Sequence, residues 1–367
     1  DAVHAFVNRE IMPRRRDLEG GPQRDETLAE ATIEQLARGL VNLDIQRAFL
    51  PADIGGLGLT SVVSTCILAE EMARGDIGLA TQMLITPWAF APAMMTGNRT
   101  VLEKFASPFC GPEPLSACFA MTEPAGGANI EDASQQGRTI QTIARVEGNH
   151  WIINGQKMWP SGAGISEIYT TVCSTDPSLG EAGITLICVP KNTPGLSFGK
   201  MEEKMGLIYT DKNSAIYYED VRVPAEYCCG RPGGEGAAIL RELVSGRISE
   251  PAMAVGAAQA TLEIAVDYTR DRTICGKAVR NRSQHAAVLG EMAAKLQAAR
   301  SDVLHTASML DRPDRYGPLG SSQQIARASA AKLMGTRLAL EVIHSAIELM
   351  GSYGYSPEYH VEKYLRD

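Results

Sequence analysis

Two neighbouring stretches decide how this chain reads: Phe119-Ala-Met-Thr-Glu-Pro-Ala-Gly-Gly-Ala-Asn129 and Asn154-Gly-Gln-Lys-Met-Trp-Pro-Ser161. Between them the sequence takes a period of two. Thr139 to Val146 alternates, Glu147-Gly-Asn149 reads as a hairpin turn, and His150-Trp-Ile-Ile153 returns as a strand. Asn154-Gly155 is a further tight-turn signal. Ile168 to Cys173, Gly183 to Val189 and Ser214 to Tyr218 read as more short strands. No helical stretch alternates with them. Residues 115–229 therefore predict an antiparallel β-domain rather than a βαβ sheet.

On both sides the period changes. In residues 1–114, Ala29 to Leu50 and Ser61 to Arg74 carry apolar residues at helical spacing. Between them, Leu50-Pro-Ala-Asp-Ile-Gly-Gly-Leu-Gly58 is rich in turn residues, and its glycines lack the spacing of a dinucleotide-binding loop. In residues 230–367, Gly236 to Asp271, Ser283 to Leu310 and Ser321 to Met350 predict three long helices packed as a bundle. Ile325, Leu333, Met334, Leu340, Ile343, Ile347 and Met350 are expected along one side of the last. The Ala-rich faces imply close helix contacts, within or between subunits. The fold class is α+β: helical domain, β-domain, long-helix bundle.

Composition narrows the function classes. The chain has 367 residues and a net charge of -8, with no Lys/Arg block, so a nucleic-acid footprint is not expected. The 8 cysteines form no C-x-x-C pair and read as free thiols of a reducing compartment. The 6 histidines are scattered, without metal-ligand spacing. No apolar run has membrane-spanning length, and Asp1-Ala-Val-His is not a signal-peptide start. These features point to the cytoplasm or an organelle matrix. Taken alone, Trp159 reads as a core aromatic, Arg272 as a surface arginine and Gly351 as a helix cap.

Five segments in order resemble the acyl-CoA dehydrogenase family. The opening stretches resemble its "TEP-x-A-G-S-D" and "NG-x-K-x-W-I-T/S" motifs. Glu219-Asp-Val-Arg-Val-Pro224 resembles "DVRVP", Arg272-Thr-Ile-Cys-Gly-Lys277 resembles "R-x-x-F-G-K", and Gly351-Ser-Tyr-Gly-Tyr355 with Val361-Glu-Lys-Tyr-Leu-Arg-Asp367 resembles "GG-x-G-Y…E-K-x-x-R-D". The resemblance implies an FAD enzyme. It would remove the α-proton of an acyl-CoA with a carboxylate and pass the β-hydride to flavin N5, with an electron-transferring flavoprotein as acceptor. Phe119, Met121, Thr122, Trp159 and Ser161 would face the flavin. Arg272, Cys275, Glu348, Gly351 and Ser352 would reach a neighbouring subunit's FAD, which implies a homotetramer or homodimer. Ala128 and Arg247 would lie on the CoA side.

There are departures. Ala128 and Asn129 replace Ser and Asp, Ser352 replaces the second glycine, and Pro160 replaces Ile. The family's usual base follows the "R-D" pair, so it is expected beyond Asp367. A minority subgroup places it just before the residue matching Arg247, which here is Gly246. Glu250, four residues on, would share that helix face and is the candidate base within the chain. No Arg or Lys follows Asp76 in Ile77 to Leu84. Family members acting on dicarboxyl acyl groups often place an arginine near the position of Gly78, so the resemblance implies an uncharged acyl chain or ring. A flavin oxidase or monooxygenase, an enoyl-CoA reductase, and a non-catalytic or half-site subunit of a hetero-oligomer are the alternatives.

Overall fold

A computed structural model describes residues 1–127 and 139–367. The first part is helical: α1 (Ala2–Phe6), α2 (Glu26–Asn42), α3 (Val62–Gly75), α4 (Ile77–Thr96) and α5 (Arg99–Val101). Side chains start these helices by taking up orphan amides. Asp25 accepts the Thr27 and Leu28 N–H groups, Ser61 accepts that of Ser64, and Asp76 accepts that of Leu79. α4 carries no charged residue over its 20 positions, and Pro87 and Pro92 lie inside it. Each proline deletes one backbone hydrogen bond from the helix.

The central part holds β1 (Ala117–Ala120), β2 (Ile143–Glu147), β3 (His150–Lys157), β4 (Ile168–Ser174), β5 (Ile184–Pro190), β6 (Leu196–Met201), β7 (Ser214–Pro224) and β8 (Cys228–Gly230). The strand order is β6-β7-β3-β2-β4-β5-β8. The β2–β3 hairpin closes where expected, with Glu147 opposite His150 and Gly148 at φ +61°. Two details refine the sequence reading. The sheet is mixed, because β1 runs parallel to β4 from Ala117↔Ile168 to Ala120↔Thr171, and β2 meets β4 in parallel at Ile143↔Ser174. And Asn154-Gly155 is not a turn: it is a bulge inside β3, with Gly155 at φ +144° and the register to β7 shifting between Ile153 and Gly155.

The C-terminal part is α6 (Glu235–Ser245), α7 (Ser249–Asp271), a two-stranded ribbon β9 (Thr273–Ile274) and β10 (Lys277–Ala278), α8 (Ser283–Leu310), α9 (Pro313–Tyr316), α10 (Ser322–Met350), α11 (Ser352–Tyr355) and α12 (Val361–Arg366). The stretch expected as one helix from Gly236 is broken by a 3-10 turn over Gly246–Ile248. Small residues bring α10 against α7: a Cβ on Gly335 would lie 2.8 Å from that of Pro251. The apolar residues expected along one side of α10 divide. Ile343 and Met350 are buried, whereas Leu333, Met334 and Leu340 are about half exposed, at 49%, 49% and 46%. The buried side is built instead from Ala328, Ala331, Gly335, Ala339, Val342 and Ala346 together with Ile343 and Met350.

Helices from both ends share one apolar core, in which Leu40, Met72 and Met83 pack with Val255, Leu296 and Val342. All three parts also meet at a buried charge cluster. Lys363 donates to Asp76 Oδ2 at 2.6 Å and to Asp367 Oδ2, while Asp367 Oδ1 accepts the Leu207 amide at 3.0 Å. Burial alone would raise the Asp76 carboxyl, but Lys363 and the Leu79 amide hold it below its usual range.

Candidate active site

The two opening stretches are joined by a buried ion pair. Lys157 ends β3 with no solvent exposure, and its Nζ donates to Glu123 Oε1 at 2.6 Å and to the Met121 carbonyl at 3.0 Å. Glu123 also accepts the amides of Gln141 at 2.6 Å and Thr142 at 3.1 Å. The Met158 amide donates to the Thr122 carbonyl at 2.9 Å. Burial pushes the Lys157 ammonium below its usual value, and Glu123 partly offsets this. Removing one partner of such a pair costs about 3–5 kcal/mol, because the other charge is left buried alone. The clamp fixes Met121 and Thr122 against Met158.

Past the clamp the chain turns outward. Trp159 takes φ +67°, a region seldom visited by a bulky residue, and its carbonyl accepts Asn213 Nδ2 at 2.7 Å. Its side is not the core one: Trp159 is 47% exposed. Ser161 bridges to Asn213, and its Oγ donates to Asp211 Oδ2 at 3.1 Å. Asp211 is buried; burial raises its carboxyl, against the opposing effect of Lys204. Phe119, Met121, Thr122, Trp159 and Ser161 thus lie on one set of connected segments. Neither Asp211 nor the Glu123–Lys157 clamp was singled out from the sequence. Glu123 and Lys157 are at least charges inside the two motifs, whereas no pattern marks Asp211.

Beside this platform lies an apolar cavity of about 470 Å³, walled by Leu84, Pro87 and Trp88 of α4 and by Leu243, Gly246 and Ile248 around the 3-10 turn. Trp88 touches both features. Its ring meets Phe119 edge-on at 6.2 Å, and a Cβ on Gly246 would lie 3.2 Å from its Cζ2. The single charged residue among the described lining residues is Glu242, which is exposed.

Glu250 does not line this cavity, contrary to the face expected from its spacing. The 3-10 turn over Gly246–Ile248 interrupts the α-helical repeat, and the Glu250 carboxylate pairs with Lys332 of α10 instead. Arg247 is part-buried and donates to Ser329 Oγ at 2.9 Å. Ala128 and Asn129 lie outside the described residues.

The remaining residues form a second group. Arg272 and Cys275 are exposed on the β9–β10 ribbon after α7. Glu348, Gly351 and Ser352 are exposed where α10 ends, with Gly351 at φ +60° and open space where its Cβ would be. Gly351 is thus a helix cap as well as a place of free access. Tyr268 of α7 contacts Tyr353 at 5.9 Å, so the two helix ends adjoin. They stand far from the cavity: α7, with 23 residues, is ~34 Å long at 1.5 Å per residue.

Residues 1–112, 118–221 and 234–367 match the N-terminal, middle and C-terminal domains of acyl-CoA dehydrogenase. The chain belongs to the acyl-CoA dehydrogenase family. It is 30% identical to the cyclohex-1-ene-1-carbonyl-CoA dehydrogenase of Geobacter metallireducens, covering 100% of this chain and 90% of that one. It is 29% identical to the human mitochondrial short-chain specific acyl-CoA dehydrogenase, covering 99% and 82%. Among solved structures, butyryl-CoA dehydrogenase from Megasphaera elsdenii superposes with a TM-score of 0.84 at 29% identity, over 100% and 90% of the two chains. A chain solved in work on the electron transferring flavoprotein of Acidaminococcus fermentans gives 0.85 at 30% identity, over 100% and 90%. Nitroalkane oxidase shares the fold, with a TM-score of 0.87 at 23% identity over 100% and 88%.

As a member of the acyl-CoA dehydrogenase family, the enzyme is an FAD-dependent oxidoreductase acting on CH–CH bonds. Its residues fit that cofactor. An exposed indole held at a costly φ, next to a part-buried hydroxyl, provides an aromatic wall and a polar contact for a flat ring.

Proposed function

We propose that the chain dehydrogenates the α,β-bond of an acyl-CoA whose acyl group is an uncharged chain or ring, and that an electron-transferring flavoprotein takes the electrons. The apolar cavity touching the flavin platform through Trp88 and Phe119 carries this reading. Lys, Arg and His are absent among the described residues that line it, so nothing there would pair with a second carboxylate on the acyl group.

Bound FAD supplies the hydride acceptor. The chain's own residues hold and orient. The Glu123–Lys157 clamp sets Met121 and Thr122, which would offer a backbone amide and a hydroxyl to the flavin's pyrimidine edge. Trp159 would cover the ring and Ser161 would contact N5. Arg247 sits on the CoA side. The α-proton requires a carboxylate; Glu250 faces Lys332 and Gly246 has no side chain, so neither is assigned the proton. The ~34 Å length of α7 takes Arg272 away from its own cavity. On the family resemblance, Arg272, Cys275, Glu348, Gly351 and Ser352 would serve FAD of a neighbouring subunit in a homotetramer or homodimer, and their distance from the cavity supports this.

Anaerobic mixing with a panel of acyl-CoA thioesters, followed by flavin bleaching, tests the proposal. Uncharged linear or alicyclic thioesters should bleach the flavin, and dicarboxyl ones should not. Bleaching by none of the panel, or by the dicarboxyl thioesters alone, would overturn it.

A further inference from the structure

Asp211 lies in no motif, yet it touches two working parts of the enzyme. Its Oδ2 accepts the Ser161 hydroxyl at 3.1 Å, and its Oδ1 accepts Gln82 Nε2 at 2.8 Å. Gln82 is on α4, whose next turns supply Leu84, Pro87 and Trp88 to the apolar cavity. Lys204 stands 3.9 Å from Asp211 Oδ2 and donates to the Asp211 carbonyl. The carboxylate is buried and anchored on both oxygens.

A hydroxyl has one proton to give, and an ionised carboxylate has none. The Ser161 proton directed at Asp211 is not available in a second direction. What the hydroxyl then offers elsewhere is a lone pair. Flavin N5 accepts a hydrogen bond when oxidised and donates one when reduced. We propose that Asp211 is a positioning residue: it holds the Ser161 proton, so that Ser161 presents an acceptor to the flavin and favours its reduced form. The proposal rests on the reading of Ser161 as the N5 contact.

The test is a double-mutant cycle on the full chain, using Asp211→Asn, Ser161→Ala and both together. The anaerobic affinities for oxidised and for dithionite-reduced FAD are measured, along with the visible spectrum of the bound flavin. An asparagine can donate to Ser161 and free the Ser161 proton for oxidised N5. It also removes a nearby negative charge, an effect that persists without the hydroxyl; the cycle separates the two. Relative to its effect beside alanine, Asp211→Asn beside Ser161 should move the reduced-to-oxidised affinity ratio about tenfold toward oxidised FAD, the size of one hydrogen bond. Equal effects in both backgrounds overturn the proposal while leaving Ser161 at the flavin. An unchanged ratio in Ser161→Ala overturns the reading of Ser161 itself, and the proposal with it. Should Asp211→Asn fail to fold, Gln82→Met releases one anchor of the carboxylate. It should then give a smaller shift of the same sign, and no shift would overturn the proposal.

Discussion

The side chains of Glu250 and Lys332 are 42% and 45% exposed, which makes theirs a solvent-facing pair. Such pairs contribute about 0–1 kcal/mol. Glu250→Gln should therefore leave turnover and acyl preference unchanged and move the denaturation midpoint little; a loss of turnover would restore Glu250 as a base. His360 carries a sharper expectation. Burial first, then the Arg15 guanidinium, push its imidazole down to about 4. The unfolded chain, with a pKa of about 6.5, binds that proton first as pH falls. Stability from this site is complete above about pH 6.5 and is lost as pH drops toward about 4. His360 sits at φ +56°, a conformation asparagine tolerates, so His360→Asn should flatten that stretch of the stability–pH curve without large strain. An unchanged slope in urea titrations between those pH values would count against this. Trp159 and Ser161 could be singled out from the sequence because they sit in a motif. Asp211 could not, because its contacts join residues 50 and 129 positions away in the chain.

Elements are where spacing rules met their limits. Glu250 was placed by counting along a helix that a 3-10 turn interrupts, and single-sequence periodicity does not reveal such a turn. Asn154-Gly155 has turn chemistry, but β7 pairs on both sides of it, so the glycine is spent on a bulge. A Cβ on Gly155 would come 2.6 Å from Thr142 Cα. Gly155→Ala is thus expected to destabilise the chain by about 1–3 kcal/mol and to weaken FAD retention, checked by denaturation and by flavin stoichiometry. Helix α4 offers the opposite case, in which a change opens space. Trp88 walls the cavity against Gly246. Trp88→Ala should lower the melting temperature, yet raise kcat/KM for bulkier acyl-CoA thioesters relative to smaller ones by about tenfold or more. An unaltered ratio would show that the acyl group lies elsewhere.

At the scale of the whole molecule, the order of helical, β and helical parts was readable from period changes. The common core of the outer two was not, since periodicity marks an apolar face without naming what covers it. Leu333, Met334 and Leu340 remain uncovered on α10, which suits a second copy of the chain. Under the proposed homo-oligomer, Leu333→Lys with Leu340→Lys should shift sedimentation to smaller species and reduce FAD retention, because the proposed contacts of Arg272 and Gly351 with a neighbour's cofactor would be lost. An unchanged sedimentation coefficient with both lysines would remove α10 from the proposed interface. The junction of Asp76, Lys363, Asp367 and the Leu207 amide has a different outcome. Each of the three parts holds a buried charge or an amide whose partner belongs to another part. The parts are therefore not portable modules. A chimaera that imports the central sheet alone from a relative inherits a foreign loop at Gly206-Leu207 and must accommodate the host's Lys363–Asp367 turn. Exchange between relatives should succeed only where that loop and the Lys363–Asp367 turn travel together.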